Sequence, residues 1–247
     1  MIAEFTVKDW SAFAPGLVSK DAWLDWAQAP SLPLGEATPA LLEMPAMQRR
    51  RVETLGRMAL QVAYWCQQDA ARSMPCVFAC RHGDLSRTYD MLQTLARDEP
   101  LSPTQFGLST HNAIAAQYSI AQELIGNSLS VSAGVACAEA AVVEALGLLA
   151  DGASEVLIVV YDCPIQPAYC EFQDEPEAAF AWAARLAKPS ENDARLSLSV
   201  GAEQATDAST GHAEIPHSLE VLRFLIGSQP MLELQENTRQ WRWQRHA

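Results

Sequence analysis

One stretch of the chain combines residue types that can support covalent chemistry. It runs from Asn127 to Asp162 and reads "NSLSVSAGVACAEAAVVEALGLLADGASEVLIVVYD". The pattern predicts a strand, a tight turn of small residues at 132–134, a helix and a second strand. Free backbone N–H groups and the positive end of the helix dipole, at the start of such a helix, can lower a thiol pKa or stabilise an oxyanion. If the helix begins directly after Gly134, the favoured position for a nucleophile is Val135.

Cys137 is the thiol closest to this turn, and two interpretations of it are open. It lies two residues beyond Val135 and therefore points in a different direction around the helix. The favoured interpretation is a small thiol buried in the core. The alternative is a cysteine nucleophile, which needs a base close to it in space.

The histidines are the first candidates for such a base. His111 lies in "STHNA" at the predicted start of a helix, where capping or a hydrogen bond to the loop is the favoured role. Ser109, Thr110 and His111 are adjacent in sequence and cannot converge in the geometry of a catalytic triad. The other histidines are His82, His212, His217 and His246.

Recognised catalytic and metal-binding motifs are missing from the sequence. There is no G-x-S-x-G, no glycine-rich phosphate loop and no H-E-x-x-H. The six cysteines do not show the paired spacing of a zinc site. We therefore expect no metal and no cofactor.

The elements that would position these residues alternate between apolar strands and helices, which indicates an α/β domain with a largely buried sheet. We expect a short helix or a turn at 19–30, a long helix at 47–71 and further helices at 85–98 and 137–152. A helix before Gly126 is expected to end at that glycine, and another is expected to be capped near Ser218. Segment 178–188 fits a strand or a helix. The predicted strands are 2–13, 74–81, 128–134, 155–162, 194–200 and 238–247, the last with Trp241 and Trp243 on one face.

Composition excludes several classes of protein. The formal net charge is −13 and the sequence pI is about 4.7, which argues against nucleic-acid binding through a basic face. Arg49, Arg50 and Arg51 form a basic run that we interpret as a solvated surface turn. The start lacks the pattern of a signal peptide, and no segment approaches the roughly 20 apolar residues that span a bilayer. We expect a cytoplasmic protein with reduced thiols.

The middle of the chain resembles the N-terminal half of the β-ketoacyl synthases, a family with the thiolase-like fold. The resemblance covers about residues 45–165 and extends more weakly to about 200. Its most specific block, "LSPTQFGLSTHNA" at 101–113, is similar to a small synthase-like family from bacterial aryl polyene and related type II fatty acid or polyketide gene sets. The resemblance implies a thiolase-like half, layered α/β/α around a mixed, largely buried sheet. It also implies a single truncated domain over 1–247 that lacks the C-terminal catalytic half.

The resemblance places Val135 at the nucleophile position of the family. Valine cannot form a thioester, so it implies that this chain has no catalytic residue. Synthases carry two catalytic histidines in the C-terminal half, which has no counterpart here, so no catalytic role passes to His212, His217 or His246. The residues expected at a pocket or an interface are Ser132, Gly134, Val135, His111 and Asn112.

A synthase-like chain without its cysteine resembles a chain-length factor. The resemblance implies a non-catalytic subunit that pairs with a full-length β-ketoacyl-ACP synthase and helps to shape its acyl pocket. The strand around 128–132 would then lie near a pseudo-twofold interface. Because this chain and acyl carrier proteins are both acidic, the carrier would dock on the partner. Two alternatives stay open: a minimal ketosynthase or acyltransferase that uses Cys137, and a structural or binding homologue without an acyl pocket.

Overall fold

The computed structural model describes residues 3–67, 71–202, 214–236 and 238–246. Eight strands in these ranges form one sheet. They are β1 (Ala3–Phe13), β2 (Cys76–Ala79), β3 (Ser128–Val131), β4 (Glu155–Asp162), β5 (Phe180–Ala187), β6 (Arg195–Ala202), β7 (Met231–Glu236) and β8 (Arg239–His246). Their order across the sheet is β3-β2-β4-β5-β1-β6-β8-β7.

Eight α-helices and one 3₁₀ helix, at Pro167–Phe172, connect the strands in the described ranges. The α-helices are α1 (Lys20–Gln28), α2 (Ala46–Arg49), α3 (Thr54–Cys66), α4 (Leu85–Ala96), α5 (Pro103–Leu108), α6 (Ala113–Gln122), α7 (Cys137–Ala150) and α8 (His217–Ile226). No helix in this part of the chain is long and apolar enough to cross a bilayer.

The sheet is mixed. β2 pairs in parallel with β3 and with β4, while the remaining pairs are antiparallel. Seven of the eight positions of β4 are buried, because a strand in this central place is covered on both faces. That is why "EVLIVVYD" is apolar almost throughout, without the alternation of a half-exposed strand.

Two hydrophobic cores lie on opposite faces of the sheet. One contains residues of α1, α7 and α8, and the other contains residues of α3 and α6. Successive residues of β2 divide between them: Val77 and Ala79 belong to the first core, and Phe78 and Cys80 to the second. This arrangement confirms the predicted layered α/β/α fold with a mixed, buried sheet.

The prediction of a single long helix at 47–71 is wrong. The structure has α2 and α3 with a break between them, and residues 68–70 lie outside the described ranges. At the break, Arg57 donates to the carbonyl oxygen of Val52 at 3.0 Å and to that of Arg49 at 3.2 Å. The guanidinium thereby satisfies carbonyls that lose their helical partners, and nothing in the apolar periodicity signals this.

Two predicted helix boundaries also differ. α6 ends at Gln122 because Glu123 adopts a left-handed conformation, with φ of 51°. Gly126 serves a close approach instead, since a Cβ there would lie 2.4 Å from the carbonyl oxygen of Ser73. The N-cap of α8 is Pro216, and Ser218 lies inside the helix.

The remaining predictions concern strands in the C-terminal part of the chain. Segment 178–188 forms β5, and β7 is a strand that the sequence pattern did not reveal. Trp241 and Trp243 are both buried in the core that contains α8, as predicted for one face of β8. They lie in the part of this core that is near the opposite end of the strand order from β3.

Candidate functional site

The carboxyl ends of β2 and β3 are the place where this fold opens a crevice. The chain runs on from β3 into α7 on one face of the sheet, whereas α6, which connects β2 to β3, packs on the other. Where connections from neighbouring parallel strands diverge in this way, α/β proteins commonly bind their ligands. The predicted turn at 132–134 lies at this edge, together with residues 80–84.

The turn itself departs from the simplest expectation. Gly134 has a φ of +56°, a backbone conformation that residues with a Cβ atom adopt only at a cost in free energy. The helix then begins at Cys137, with Ala136 as its N-cap, so Val135 lies before the helix and is half-buried. Val135 is therefore part of the turn and is not the first residue of the helix.

Cys137 is held as a buried thiol. Its side chain is almost fully inaccessible, its Sγ accepts from the backbone N–H of Ala133 at 3.3 Å, and it donates to the carbonyl oxygen of Gly134 at 3.1 Å. Burial raises the pKa of Cys137 to about 12, although the Ala133 N–H opposes the shift. These contacts favour the core-thiol interpretation over the nucleophile, because a nucleophilic cysteine needs an accessible thiolate.

Ser132 and His111 converge on consecutive carbonyls at the end of β2. The exposed Ser132 donates its hydroxyl to the carbonyl oxygen of Arg81 at 2.7 Å, and the Nε2 of His111 lies 3.0 Å from the carbonyl oxygen of Cys80. Since a carbonyl can only accept, the proton of this second bond is on Nε2. The structure thus brings two of the predicted site residues to one edge of the sheet.

The ring of His111 also lies close to Gly83, which favours a glycine at that position. A Cβ at Gly83, where φ is +65°, would lie 3.2 Å from the His111 ring. Asn112 is the exposed N-cap of α6, and its side chain makes no capping bond. In the described part of the chain no hydrogen bond joins His111 to Cys137. The two residues therefore do not form a catalytic pair in this structure.

A buried arginine at the same edge was missed by sequence reasoning. The side chain of Arg81 is 5% exposed and pairs with Glu175 at 2.6 Å, with Asp174, and with Asp162 at 3.9 Å. Burial lowers the pKa of Arg81, but the carboxylates of Glu175 and Asp162 outweigh it and raise the pKa overall. These ion pairs of Arg81 therefore connect the segment after β4 to the end of β2. The only sequence signal is a charged residue directly after the apolar run "VFAC".

Asp162 ends β4 within this cluster and has an unusual proton affinity. Burial raises its pKa to about 7, against the opposing charge of Arg81 and a hydrogen bond from the backbone N–H of Cys163. Glu175 also has a raised pKa because it is buried, although the backbone N–H of His217 donates to it at 2.7 Å. The edge thus holds more carboxylates than cations.

A second buried group joins α7 to the C-terminal elements. Oε1 of Glu139 accepts from Nε2 of His217 at 2.9 Å and from Nε1 of Trp243 at 3.1 Å, while Oε2 has no partner among the described residues. Burial lowers the pKa of His217, but the hydrogen bond and charge of Glu139 raise it overall. The structure thereby assigns His217 to packing between elements.

The other histidines make different contacts. His246 lies 2.8 Å from the hydroxyl of Ser197, and His212 lies outside the described residues. His82 is exposed as a residue but partly desolvated, and this partial burial and the charge of Arg81 lower its pKa. In the ranges that the structure describes, no group of three or more His, Cys, Asp or Glu side chains could hold a metal ion.

A cavity of about 420 Å³ opens beside His82 at this edge. Its wall includes the carboxylates of Glu53 and Asp84 as well as Leu55 and Ile165. A wall that mixes charged and apolar groups is poorly suited to an acyl chain, whose burial gains free energy only against apolar surface. An acyl pocket is therefore not formed by this cavity alone.

The family of the chain follows from a sequence comparison. The family model described as "Beta-ketoacyl synthase, N-terminal domain" matches residues 23–244. The chain belongs to this family, and it has the thiolase-like ketosynthase fold. The match is wider than the segment 45–165 that carries the resemblance in sequence. A search of curated proteins found no match.

Comparison with solved structures identifies more particular relatives. The chain is similar to one in the complex of the ketosynthase ApeO with its chain length factor ApeC from Xenorhabdus doucetiae. The two are 28% identical with a TM-score of 0.83, covering 98% of this chain and 99% of that one.

Two further structures share the fold at lower identity. One is the ishigamide ketosynthase/chain length factor, with 15% identity, a TM-score of 0.63 and coverage of 83% of this chain and 69% of that chain. The other is a β-ketoacyl synthase from Burkholderia phymatum, with 14% identity, a TM-score of 0.62 and coverage of 83% and 66%.

Proposed function

We propose that this chain is a non-catalytic, chain-length-factor-like subunit of a type II ketosynthase of the aryl polyene kind. It pairs with a full-length, active β-ketoacyl-ACP synthase and helps to shape the pocket for the growing acyl chain. The observation that carries the proposal is the turn at the end of β3. This turn keeps the shape that presents a nucleophile but presents Val135, while the nearby thiol of Cys137 is buried and protonated. The likeness to a ketosynthase–chain length factor complex over nearly the whole chain supports it.

The pairing surface that we propose is centred on β3. Among the described strands, β3 is paired only with β2 and forms one edge of the sheet. The backbone N–H groups of Cys76 in β2 and of Cys80 just after β2 donate to the carbonyl oxygens of Asn127 and Val131. In a parallel ladder both polar groups of a residue point the same way, so Ser128 and Ser130 direct theirs away from β2. An open edge of this kind can pair with a strand of another chain.

The segment before β3 and the helix after it carry exposed apolar side chains. Ile125, just before β3, is 82% exposed, and Val143 on the outer side of α7 is 48% exposed. A Cβ at Gly147, one turn beyond Val143, would have no heavy atom within 4 Å. Exposed apolar groups on the elements that adjoin an open strand in sequence fit burial against a partner subunit.

The predicted site residues acquire a common role under this proposal. Ser132, Gly134, Val135, His111 and Asn112 lie at the carboxyl edge that continues from β3, where the partner's acyl pocket would meet this subunit. Val135 supplies an apolar side chain and no reactive group. We propose that these residues contribute to the interface and the pocket wall, and that none of them is catalytic.

The charge and the thiols fit the same role. With a net charge of −13, the chain as a whole repels acidic proteins, so the acyl carrier protein is expected to dock on the partner. All six cysteines are free, which fits a protein that works in the reducing cytoplasm beside its partner.

Co-expression with an active synthase from the same gene set tests the proposal. Native mass spectrometry should show a one-to-one complex, and intact masses after exposure to acyl substrate should show an adduct on the partner chain only. A chain that remains monomeric beside the synthase contradicts the pairing. An acyl adduct on this chain contradicts the non-catalytic role.

A further inference from the structure

A cavity of about 660 Å³ opens at the edge of the sheet opposite to the turn at 132–134. Its wall forms where β2, β3 and β4 begin and where α7 ends, and in these places it includes Pro75, Asn127, Ser154 and Asp151. The volume lies in the range of small-molecule sites, roughly 300–1,000 Å³. None of the residues predicted for a pocket or an interface lines this cavity.

The wall contains a charged pair that the sheet itself holds in place. β5 is buried along almost its whole length, and Arg185 is its one charged residue. Glu155 of β4 is paired with Ala187, and Leu157 is paired with Arg185. Glu155 and Arg185 are therefore diagonal neighbours on one face of the sheet. Both line the cavity, so two opposite charges lie side by side on rigid strands.

The guanidinium of Arg185 lacks good acceptors, although its side chain is only 20% exposed. In the described part of the chain its ion pairs are with Glu155 at 3.4 Å and Asp9 at 4.0 Å, and its Nε is buried without a partner. Charge-assisted hydrogen bonds are shorter, about 2.7–2.9 Å. Oδ1 of Asp9 accepts instead from Lys20 and from the backbone N–H of Trp10. Because donors left unbonded in a largely buried place cost free energy, Arg185 favours an acceptor in the cavity.

The charge of the wall restricts what that acceptor belongs to. Besides Arg185, the charged side chains among the described lining residues are Glu155 and Asp151. The excess of one carboxylate repels a simple anion, while a simple amine leaves the donors of Arg185 unused. A ligand with both a carboxylate and an ammonium group satisfies both sides. In an α-amino acid these two groups are attached to one carbon, which matches two neighbouring side chains 3.4 Å apart.

The rest of the wall favours an apolar side chain on the ligand. Beside the charged pair, the cavity is lined by the buried Met74 and the half-buried Leu148, together with Pro75, Ala71 and Ala153. An apolar ligand group gains free energy by covering such surface, and a charged one loses its hydration there.

We propose that this cavity binds a free α-amino acid with an apolar side chain. The ligand carboxylate accepts from the guanidinium of Arg185, the ammonium group donates to the carboxylate of Glu155, and the side chain lies against Met74 and Leu148. Two charge-assisted hydrogen bonds thereby replace one loose ion pair. The inference goes beyond the proposed subunit role and does not rest on it, because the site lies at the other edge of the sheet.

Three small molecules of the same carbon skeleton provide the test. They are L-leucine, isoamylamine, which lacks the carboxylate, and isocaproate, which lacks the ammonium group. Isothermal titration calorimetry with the full chain should show saturable binding of L-leucine and at least tenfold weaker binding of each analogue. L-Aspartate, whose side chain is charged, should also bind at least tenfold more weakly. Failure of L-leucine to bind, or equal affinity for either analogue, overturns the proposal.

Variants of the charged pair localise the binding. Glu155→Gln should weaken L-leucine at least tenfold but strengthen isocaproate, because it removes the carboxylate that repels this anion. A purely structural role of Glu155 predicts weaker binding of both molecules. Arg185→Lys keeps the charge but loses the planar fork of donors, and it should weaken L-leucine at least tenfold.

The matched control is Glu144→Gln, which makes the same change at an exposed position of α7 outside the cavity wall. It should leave the affinity for L-leucine within twofold. Unchanged affinity in Glu155→Gln, or an equal loss in Glu144→Gln, overturns the assignment. Since these titrations use the chain without the synthase, their outcome is independent of whether the two proteins pair.

Discussion

Cys137 and Val135 lie two residues apart, yet their environments allow different chemistry. The Sγ of Cys137 is enclosed by its own turn, with Ala133 donating to it and Gly134 accepting from it. Val135 is half-buried at the crevice and has no group to ionise. The sequence order strand–turn–helix revealed the turn, but the depth of each side chain depends on where the helix begins. That point is fixed by backbone geometry at residues 134–136.

We predict that Cys137 in the folded chain does not react with thiol reagents. With iodoacetamide at pH 7.5, peptide mass spectrometry should find the exposed Cys170 alkylated and Cys137 unmodified until denaturant is added, because burial keeps Cys137 protonated. Cys137→Ala should retain the activity of the synthase complex within twofold and cost about 1 kcal/mol of stability. Acylation at Cys137, or loss of turnover in Cys137→Ala but not in Cys170→Ala, would favour the minimal-enzyme alternative.

Asp162 gives the chain a pH-dependent stability. Its pKa is about 7 in the folded chain and 3.8 for the unperturbed group. The folded chain holds the proton more tightly, so this contribution to stability is fully present below pH 3.8 and is lost as pH rises through about 7. Between these two pH values the folded chain binds up to one proton more than the unfolded chain. The free energy of unfolding therefore falls by at most about 1.4 kcal/mol per pH unit.

Urea unfolding between pH 5 and 7 should show that the free energy of unfolding falls less steeply in Asp162→Asn than in the unchanged protein. His217 and Glu175 also have raised pKa values, and their contributions fall in the same direction. The difference between the two curves therefore isolates Asp162. Asp151→Asn removes an exposed carboxylate and should leave the slope unchanged. Parallel curves for the unchanged protein and Asp162→Asn contradict this prediction.

At the scale of elements, sequence reasoning succeeded where burial on both faces dictates an apolar run. β2 and β4 are such strands, and α7 is helical as predicted, with seven of its fourteen residues buried. It failed where a side chain from another turn replaces a backbone bond, as Arg57 does between α2 and α3. It also missed β7, whose positions are at most half-buried and which is a strand because it pairs with β8. Such bonds join positions that no local periodicity connects.

The open edge of β3 allows a test by proline substitution. The backbone N–H of Ser130 points away from β2, so Ser130→Pro removes a donor that the isolated chain does not need, and proline is tolerated on edge strands. We predict that the isolated variant folds with a loss of stability below about 2 kcal/mol. Its affinity for the synthase should fall at least tenfold.

Ser130→Ala is the matched control, because it removes the hydroxyl and keeps the N–H. It should bind the synthase within twofold of the unchanged chain in isothermal titration calorimetry, while circular dichroism confirms that both variants are folded. Unaltered affinity of Ser130→Pro would show that partner pairing does not use the edge of β3.

The whole molecule is held together by contacts between distant parts of the sequence. Glu139 on α7 binds His217 on α8 and Trp243 on β8, and Arg81 binds Glu175 beyond β4. These contacts join residues 78 to 104 positions apart. The layered fold could be read from the sequence because strand and helix patterns are local, and the family was indicated by the resemblance of the block at 101–113. The buried polar network could not, because each member is an ordinary charged or aromatic residue until the fold brings it to its partner.

The pairing proposal also has a consequence for the stability of the whole chain. A partner that binds only the folded chain raises its stability by RT ln(1 + [L]/Kd), or about 2.7 kcal/mol when the free synthase is at 100 times Kd. For a domain of this size that corresponds to a rise in Tm of about 5–10 °C. Scanning calorimetry of a labelled chain at increasing synthase concentration should show the rise, and Ser130→Pro should remove it. An unrelated acidic protein at the same concentration controls for crowding. If Tm does not change with synthase concentration, the two proteins do not pair, whatever the shape of the turn at Val135.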